Sequence, residues 1–464
     1  MMGNVYGSME KVTSNVPPQG LCQMASCLRE STDDLDVAIM DSRALNMNVE
    51  ETVDGIIEHD PDILGMSLFT SNLDVSSQVV LQFLGKSGKK PLIIAGGPHP
   101  TFYGEHFIEK HEEFDLGVIG EGERTIVEIY ECFREQGDLK RVNGIIYNEN
   151  GNIVKTEKRK PIENLDTLPL PSWDLLPELK QHYRLTGSKV KKREEGMSII
   201  TSRGCPGTCN FCNPRGLGNR FRCNSAAYMM KMVDDLYRNF GIRELYIQDD
   251  MFTAKKENVI EFCSLLQRSG FNIPWSCNSR VDFVDRAILL EMKKAGCWQI
   301  GFGLESGSQK ILDTIKKRTT VEQNLEATIR CKEVGMEVMG LFMIGCFNET
   351  EKTLAETLNF INRAHLTDLQ VTFYTPLPGT VSWKKWPDYG HYDENTKIAF
   401  HTEPTFVPFG LTEELLKQVQ KKLYLRFYMK PRILFRYFIN SFKPGVFRRS
   451  IQTLAGFINY MYRA

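Results

Sequence analysis

The sequence predicts an α/β protein built from two successive runs of strand–helix alternation and closed by a helical extension. Three observations carry that reading. Apolar runs of strand length recur over the first 140 residues, at Asp36–Asp41, Ile63–Ser67, Leu92–Gly97 and Leu116–Gly120, with helix-length segments between them. The alternation resumes at Met197, with candidate strands at Ser198–Thr201, Glu244–Gln248, Pro274–Asn278, Gln299–Gly303, Val338–Ile344 and Leu369–Phe373. After Glu414 no acidic residue remains and the chain changes character. The first run fits a doubly wound parallel sheet with helices on both faces. Six units in the second suggest a partial (β/α)6 barrel, open on one side. The expected domains are residues 1–140, a connector over 141–195, the barrel over 196–385 and a helical region over 386–464.

A chain of 464 residues, 25% charged and 42% apolar, has the balance of an ordinary globular protein with sizeable cores. Its longest apolar run, Val338 to Phe347, is ten residues, too short for a bilayer. No basic-then-apolar leader opens the sequence, so a cytoplasmic location is expected. Twelve cysteines then read as reduced thiols, and the nine outside one short loop as small buried hydrophobes. Net charge is −1, yet the last fifty residues carry eleven Lys and Arg against no acid, interleaved with eleven Phe and Tyr. Such a tail suits an anionic membrane surface or a lipophilic or acidic substrate. A helical cap with solvated Lys and Arg stems is the simpler expectation. No nucleic-acid partner is indicated.

In the N-terminal sheet, ligands are expected beyond the carboxyl ends of the strands. There the sequence places Asp41-Ser42-Arg43, Ser67-Leu68-Phe69-Thr70, Gly96-Gly97-Pro98-His99 and Gly120-Glu121-Gly122-Glu123. Paired glycines at strand ends allow a ligand close to the backbone. His99, His106 and His111 could form a metal trio, but nothing fixes their geometry and surface histidines are expected. In the connector, Asn148 to Asn152 has hairpin chemistry, and Leu168-Pro-Leu-Pro-Ser-Trp173 reads as a proline-stiffened crossing. Lys189 to Glu195 reads as a solvated loop.

The first barrel strand runs into Thr201-Ser-Arg-Gly-Cys205-Pro-Gly-Thr-Cys209-Asn-Phe-Cys212. The spacing C-x3-C-x2-C supplies three thiolates in one loop. A [4Fe–4S] cube usually takes four cysteines, so three leave one iron open. A zinc site would want a fourth Cys or His at close spacing. Three structural cysteines are the bland alternative. Later strands end in Gln248-Asp249-Asp250, Ser276-Cys-Asn278-Ser-Arg280-Val-Asp282, Gly301-Phe-Gly303-Leu-Glu305, Gly345-Cys-Phe-Asn-Glu349-Thr350 and Pro376-Leu-Pro378-Gly379-Thr380. An aspartate after a strand can also cap a helix, and Arg280 could form an ordinary surface ion pair.

Taken in order over most of residues 17–380, these motifs resemble the radical S-adenosylmethionine (SAM) enzymes. The resemblance implies a [4Fe–4S] cluster on Cys205, Cys209 and Cys212, with SAM chelated to the open iron. It implies Phe211 near the adenine, Asp249 and Asp250 at the SAM amino group, Ser276 and Asn278 near the ribose, and Arg280 at the SAM carboxylate. Gly301 and Gly303 would let the adenine lie along the backbone, and Glu305 would face the site. Gly345 to Thr350 replaces the family's G-x-P-G-E-T, a change expected to reshape that turn while keeping Glu-Thr.

Pro17-Pro18-Gln-Gly20-Leu21, Ser67, Gly96 to Thr101 and Gly120 to Glu123 resemble the cobalamin-binding domain of one large subfamily. That implies cobalamin contacts at Asp41, Arg43, Ser67, Thr70, Gly96, Gly97, His99 and Glu121. Where methionine synthase-like domains carry D-x-H-x-x-G, Asp41 to Asn46 holds no histidine, so cobalamin without a protein imidazole is implied. Family members open on an apolar strand that Met1 to Val12 does not show, so either the start lies upstream or the sheet lacks a central strand.

The resemblance implies reductive cleavage of SAM to a 5′-deoxyadenosyl radical, fed by an external one-electron reductant such as flavodoxin or ferredoxin. The leading expectation is a cobalamin-dependent C-methyltransferase acting on an unactivated carbon of a lipophilic or anionic small molecule. Alternatives are an oxidative cyclase of the anaerobic porphyrin type, a radical SAM enzyme with a degenerate cobalamin domain, or a non-enzymatic Fe–S electron carrier or cobalamin-responsive regulator. No Ser/His/Asp arrangement or HExxH stretch suggests a protein nucleophile.

Overall fold

A computed structural model describes residues 15–185, 195–213, 220–393 and 401–441. The chain divides into two units. Pro17–His182 and the segment ending at Arg222 form the first; Tyr183–Asn213 and the chain from Cys223 dominate the second.

In the first unit, helices α1 (Gln19–Ser31) and α2 (Val49–His59) precede strand β1 (Ile63–Ser67). Then come α3 (Leu73–Lys86), β2 (Leu92–Gly96), α4 (Pro98–Tyr103), α5 (Glu105–Lys110), β3 (Leu116–Val118) and α6 (Glu123–Arg134). The start of α2 follows from its sequence: Asn48 accepts the Glu51 N–H, and Glu51 returns to the Asn48 N–H. Strands β1, β2 and β3 are parallel neighbours. On β2, Ile93 and Ala95 pack with Val80 and Phe107, while Ile94 packs with Ile129 and Val142. Successive side chains thus enter cores on opposite faces, which explains the continuous apolar run.

Two expectations need correction here. The connector continues the sheet: β4 (Ile145–Glu149) pairs antiparallel with β3, and β5 (Asn152–Lys155) pairs with β4. Their turn puts Asn150 at φ 53° and Gly151 at φ 86°, the left-handed pair that a two-residue hairpin needs. Asp36–Asp41 runs without strand pairing among the described residues. A strand needs a neighbour, and among the described residues none pairs with this segment; Met1 to Val12 lies outside the described residues. Most of Lys189–Glu195 also lies outside them.

The second unit holds six parallel strands: β6 (Gly196–Ile199), β7 (Glu244–Ile247), β8 (Trp275–Ser279), β9 (Cys297–Glu305), β10 (Glu337–Ile344) and β11 (Asp368–Phe373). They lie in strict sequence order, β6 at one edge and β11 at the other, which is an open half-barrel. Between them run α7 (Ala226–Arg238), α8 (Lys256–Arg268), α9 (Arg286–Lys294), α10 (Gln309–Thr314), α11 (Val321–Glu333) and α12 (Glu351–Arg363). Ser225, Asp285 and Thr320 cap α7, α9 and α11 with their side chains.

The chain after the barrel is less helical than expected. β12 (Gly390–Tyr392) and β13 (Phe406–Pro408) form an antiparallel pair before α13 (Glu413–Tyr428) and α14 (Pro431–Ser441). Leu416, Gln420, Leu423 and Phe427 form the buried face of α13. Gln420 donates to the Val371 carbonyl, the Val371 N–H donates to the Tyr424 hydroxyl, and Tyr428 donates to Asp368. This helix therefore covers the free edge of β11, which would otherwise expose unpaired backbone. No described helix is long and apolar enough to cross a membrane.

In the turn after β10, Asn348 stands where the family carries glycine and sits at φ 60°, a conformation asparagine tolerates. Buried Glu349 accepts the N–H groups of Gly345 and Cys346 and the Thr353 hydroxyl, stapling the turn to α12. Burial pushes its carboxyl up to about 7 from an ordinary 4.5. The folded state then holds this proton to higher pH than the unfolded chain, so the group lowers stability as pH rises between those values. Glu349→Gln, compared with the parent by urea unfolding, should gain relative stability between about pH 5 and pH 8, by up to about 3 kcal/mol. A relative loss over that range would show that the turn favours the anion.

Candidate functional site

The cysteine loop is anchored at its entry by Asp249, at the end of β7. Its buried carboxylate accepts the Thr201 N–H at 2.6 Å, the Thr201 hydroxyl at 2.7 Å and the Ser202 N–H at 3.1 Å. Asp249 therefore caps no helix; three of its acceptor positions are taken by the loop. The next residue, Asp250, is the exposed member of the pair, and desolvation raises its carboxyl above the ordinary range.

Within the loop, Gly204 adopts φ 80°, and Gly207 lies between two of the thiols. A Cβ on Gly207 would meet Cys205 Sγ at 3.2 Å, Arg280 Nη1 at 3.4 Å and Cys209 Sγ at 3.9 Å. Asn210 ties the loop to its surroundings, donating to the Thr314 carbonyl and accepting from the N–H and hydroxyl of Ser382. Asn213 donates to the Gly379 carbonyl at 2.8 Å. Cys205 and Cys209 are half-buried and Cys212 is exposed. Among the described residues, no three His, Cys, Asp or Glu side chains close into a chelate for a single ion. A cube of several irons spaces its thiolates more widely than one ion does, so loop placement is the relevant fit. Three thiols on one pinned loop at the carboxyl end of the first barrel strand suit it.

Opposite the loop stands a buried cationic pair that the sequence only half revealed. Arg280 Nε and Nη2 engage Asp282 at 3.0 and 2.9 Å, and Nη2 also donates to the Lys317 carbonyl. Its remaining Nη1 reaches Cys209 Sγ at 3.7 Å. The guanidinium fork expected for a ligand carboxylate is thus held by Asp282, leaving one N–H edge toward the thiols. Lys317, missed in the sequence, is buried and donates to Glu305 at 2.7 Å. Burial raises the Cys209 thiol, while Lys317 and Arg280 oppose that rise. The backbone around this pair is costly: Glu305 sits at φ 60°, and Lys316 and Arg318 flank Lys317 at φ 53° and φ 59°. Left-handed residues of these types persist where surroundings hold them, commonly at functional sites.

The inner face of β8 carries Ser276 and Asn278. Asn278 donates to the Tyr246 hydroxyl at 2.6 Å. The Ser276 hydroxyl is buried without a hydrogen-bond partner, as is Nε2 of its neighbour Gln299 on β9. Unpaired buried polar atoms call for a ligand or water. Gly301 and Gly303 leave room for polar side chains. A Cβ on Gly301 would clash with Asn278 Oδ1, and one on Gly303 would meet Glu305 Oε1 at 2.6 Å and Lys317 Nζ at 3.0 Å. Phe211 packs edge-on to Tyr374 in the apolar cluster beside the loop.

In the first unit, Gly96 and Gly120 lie open at strand ends, nothing approaching a Cβ on either closer than 4.0 Å. A flat ligand can approach the backbone there, which fits the cofactor implied for this sheet. Gly97 has another reason: at φ 100°, a Cβ would lie 2.9 Å from the Leu68 carbonyl oxygen. The structure brings Thr70 and His99 together at 3.1 Å. His99 is buried and stacked on Tyr103, not a surface histidine, and burial lowers its imidazole to about 4, hence neutral. His111 lies 6.5 Å from it between ring centres and is held by Glu113, and His106 is exposed; no metal trio forms. Ser67 is half-buried at the end of β1. Asp41 accepts the Ala44 N–H, closing a turn that leaves Arg43 exposed. Glu121 has its carboxylate buried against Arg222 at 2.6 Å and accepts the Ile162 N–H at 2.7 Å.

The Glu305–Lys317 pair makes a direct prediction. Lys317→Met should cost about 3–5 kcal/mol in urea unfolding, because a buried carboxylate loses its cation. Adding Glu305→Gln should recover at least half of that loss. A cost below about 1 kcal/mol would show the pair to be solvated in solution.

Comparison with known proteins agrees with the geometry. The Radical SAM superfamily model matches residues 199–361, and the B12 binding domain model matches residues 7–130. An uncharacterized methyltransferase of Pyrococcus horikoshii is 31% identical over 432 residues, covering 90% of this chain and 89% of that protein. The anaerobic magnesium-protoporphyrin IX monomethyl ester cyclase of Rubrivivax gelatinosus is 27% identical, over 93% of this chain and 77% of the cyclase. Among solved structures, the cobalamin-dependent S-adenosylmethionine radical enzyme OxsB with aqua-cobalamin bound superposes with a TM-score of 0.74. It shares 18% identity and covers 97% of this chain and 71% of its own, a likeness of fold. The cofactors are a [4Fe–4S] cluster, SAM and cobalamin. This chain belongs to the radical SAM superfamily, with a B12 binding domain ahead of the barrel, and is a cobalamin-dependent radical SAM enzyme.

Proposed function

We propose that the enzyme methylates an unactivated carbon of a small molecule, in the reducing interior of the cell, with flavodoxin or ferredoxin as electron donor. The observation that carries this reading is the likeness, over nine-tenths of both chains, to the Pyrococcus horikoshii methyltransferase. When bound, the cluster and SAM supply a 5′-deoxyadenosyl radical and cobalamin supplies a methyl carrier; the chain supplies placement. Cys205, Cys209 and Cys212 hold the cluster on a loop that Asp249 and Asn210 fix. Asp250 and Glu305 offer negative charge for the SAM ammonium, while Lys317 and the free edge of Arg280 offer positive charge for its carboxylate. Asn278 and Ser276 offer ribose contacts from β8. In the first unit, Thr70, neutral His99 and the open glycines Gly96 and Gly120 support the corrin, with Ser67 at the end of β1 and Asp41 and Arg43 in the turn before α2. Phe211 and its aromatic neighbours keep water from the loop.

A second reading, oxidative cyclisation, is supported by the likeness to the Rubrivivax gelatinosus cyclase. Product mass separates the two. Methylation predicts a product heavier by one CH2 unit, deuterated when the SAM methyl is deuterated; a product that has lost hydrogen and carries no label would favour the cyclase. Under anoxic reduction, replacing Cys205, Cys209 and Cys212 together by alanine should abolish formation of 5′-deoxyadenosine. Persistence of that product would contradict the cluster assignment.

A further inference from the structure

Among the described residues, helix α14 is held to the barrel along one side. Ile433 is buried, Lys430 donates to the Ile361 carbonyl and Arg432 to that of Leu366, and Arg436 pairs with Glu337. The opposite side presents Leu434, Phe435 and Ile439 at 47%, 65% and 48% exposure. Met429, in the turn just before the helix, is 63% exposed. Phe435 and Ile439 are one helical turn apart, so the exposed groups share a stripe turned away from the barrel contacts seen among the described residues.

The stretch of chain that carries this stripe has charge of one sign. No acidic residue follows Glu414. Of the Lys and Arg on α13 and α14, Lys417 is neutralised by Glu403 and Glu413, and Arg436 by Glu337. Among the described residues no carboxylate forms an ion pair with Lys421, Lys422, Arg426, Lys430 or Arg432. A helix whose outer stripe is apolar and aromatic, in a stretch of sequence whose only charges after Glu414 are basic, matches a surface that is negative outside and apolar beneath. We infer that α14 docks the enzyme on an anionic lipid bilayer, lying in the interface plane with Phe435 and Ile439 inserted. Over its 11 described residues the helix is not long and apolar enough to cross a membrane. The inference is independent of the reaction catalysed, since these residues belong to neither cofactor site.

The test is sedimentation of the full-length holoprotein with vesicles of phosphatidylcholine alone or with added phosphatidylglycerol. Binding should require phosphatidylglycerol, weaken with salt, and fall about tenfold or more in Phe435→Glu/Ile439→Glu. These side chains are exposed, so the variant should keep its iron content and its 5′-deoxyadenosine formation, which separates lost docking from lost catalysis. Absence of binding by the parent, equal binding to both vesicles, or full binding by the variant would overturn the inference. So would a dimer of the parent that the variant dissolves without any vesicle binding, because the stripe would then face a second copy of the chain.

Discussion

A single buried carboxylate sets the geometry of the catalytic half. Asp249 receives three donors from Thr201 and Ser202, and so fixes the direction in which the chain leaves β6 and enters the cysteine loop. Burying an anion is tolerable only when donors replace water, and here the donors are the backbone and hydroxyl of the segment to be positioned. The loop then needs no regular structure of its own. Asn210 and Asn213 complete the pinning from the other side.

Facing this loop, the barrel concentrates charge where parallel strands end. Glu305 and Lys317 hold one another in strained backbone, and Arg280 is locked by Asp282 with one edge toward Cys209. A paired set of this kind does not have to reorganise when a ligand carrying both an ammonium and a carboxylate arrives. The glycines of β9 belong to the same arrangement. They keep the floor low enough for Asn278, Glu305 and Lys317 to lie over the strand.

What could be read from the sequence follows the range of each interaction. The cysteine loop and the alternation of strands and helices are local patterns, and all six barrel strands appear within two or three residues of their expected bounds. Roles set by distant partners were hidden. The bonds of Asp249 to Thr201, 48 positions away, and of Glu121 to Arg222, 101 away, leave no local pattern. Lys317 stands among Lys316 and Arg318, so nothing in composition marks it as the buried member; the two flanking left-handed residues do. The hairpin at Asn150-Gly151 was legible as a turn, but its addition to the N-terminal sheet depended on pairing with β3.

The central claim is that three thiolates grip an iron–sulfur cube and leave its fourth iron for SAM. Electron paramagnetic resonance of the reduced, reconstituted enzyme tests it most directly. Addition of SAM should shift the g-values of the cluster signal, as ligation of an open iron requires. A full-strength cluster signal that SAM leaves unchanged would contradict the account.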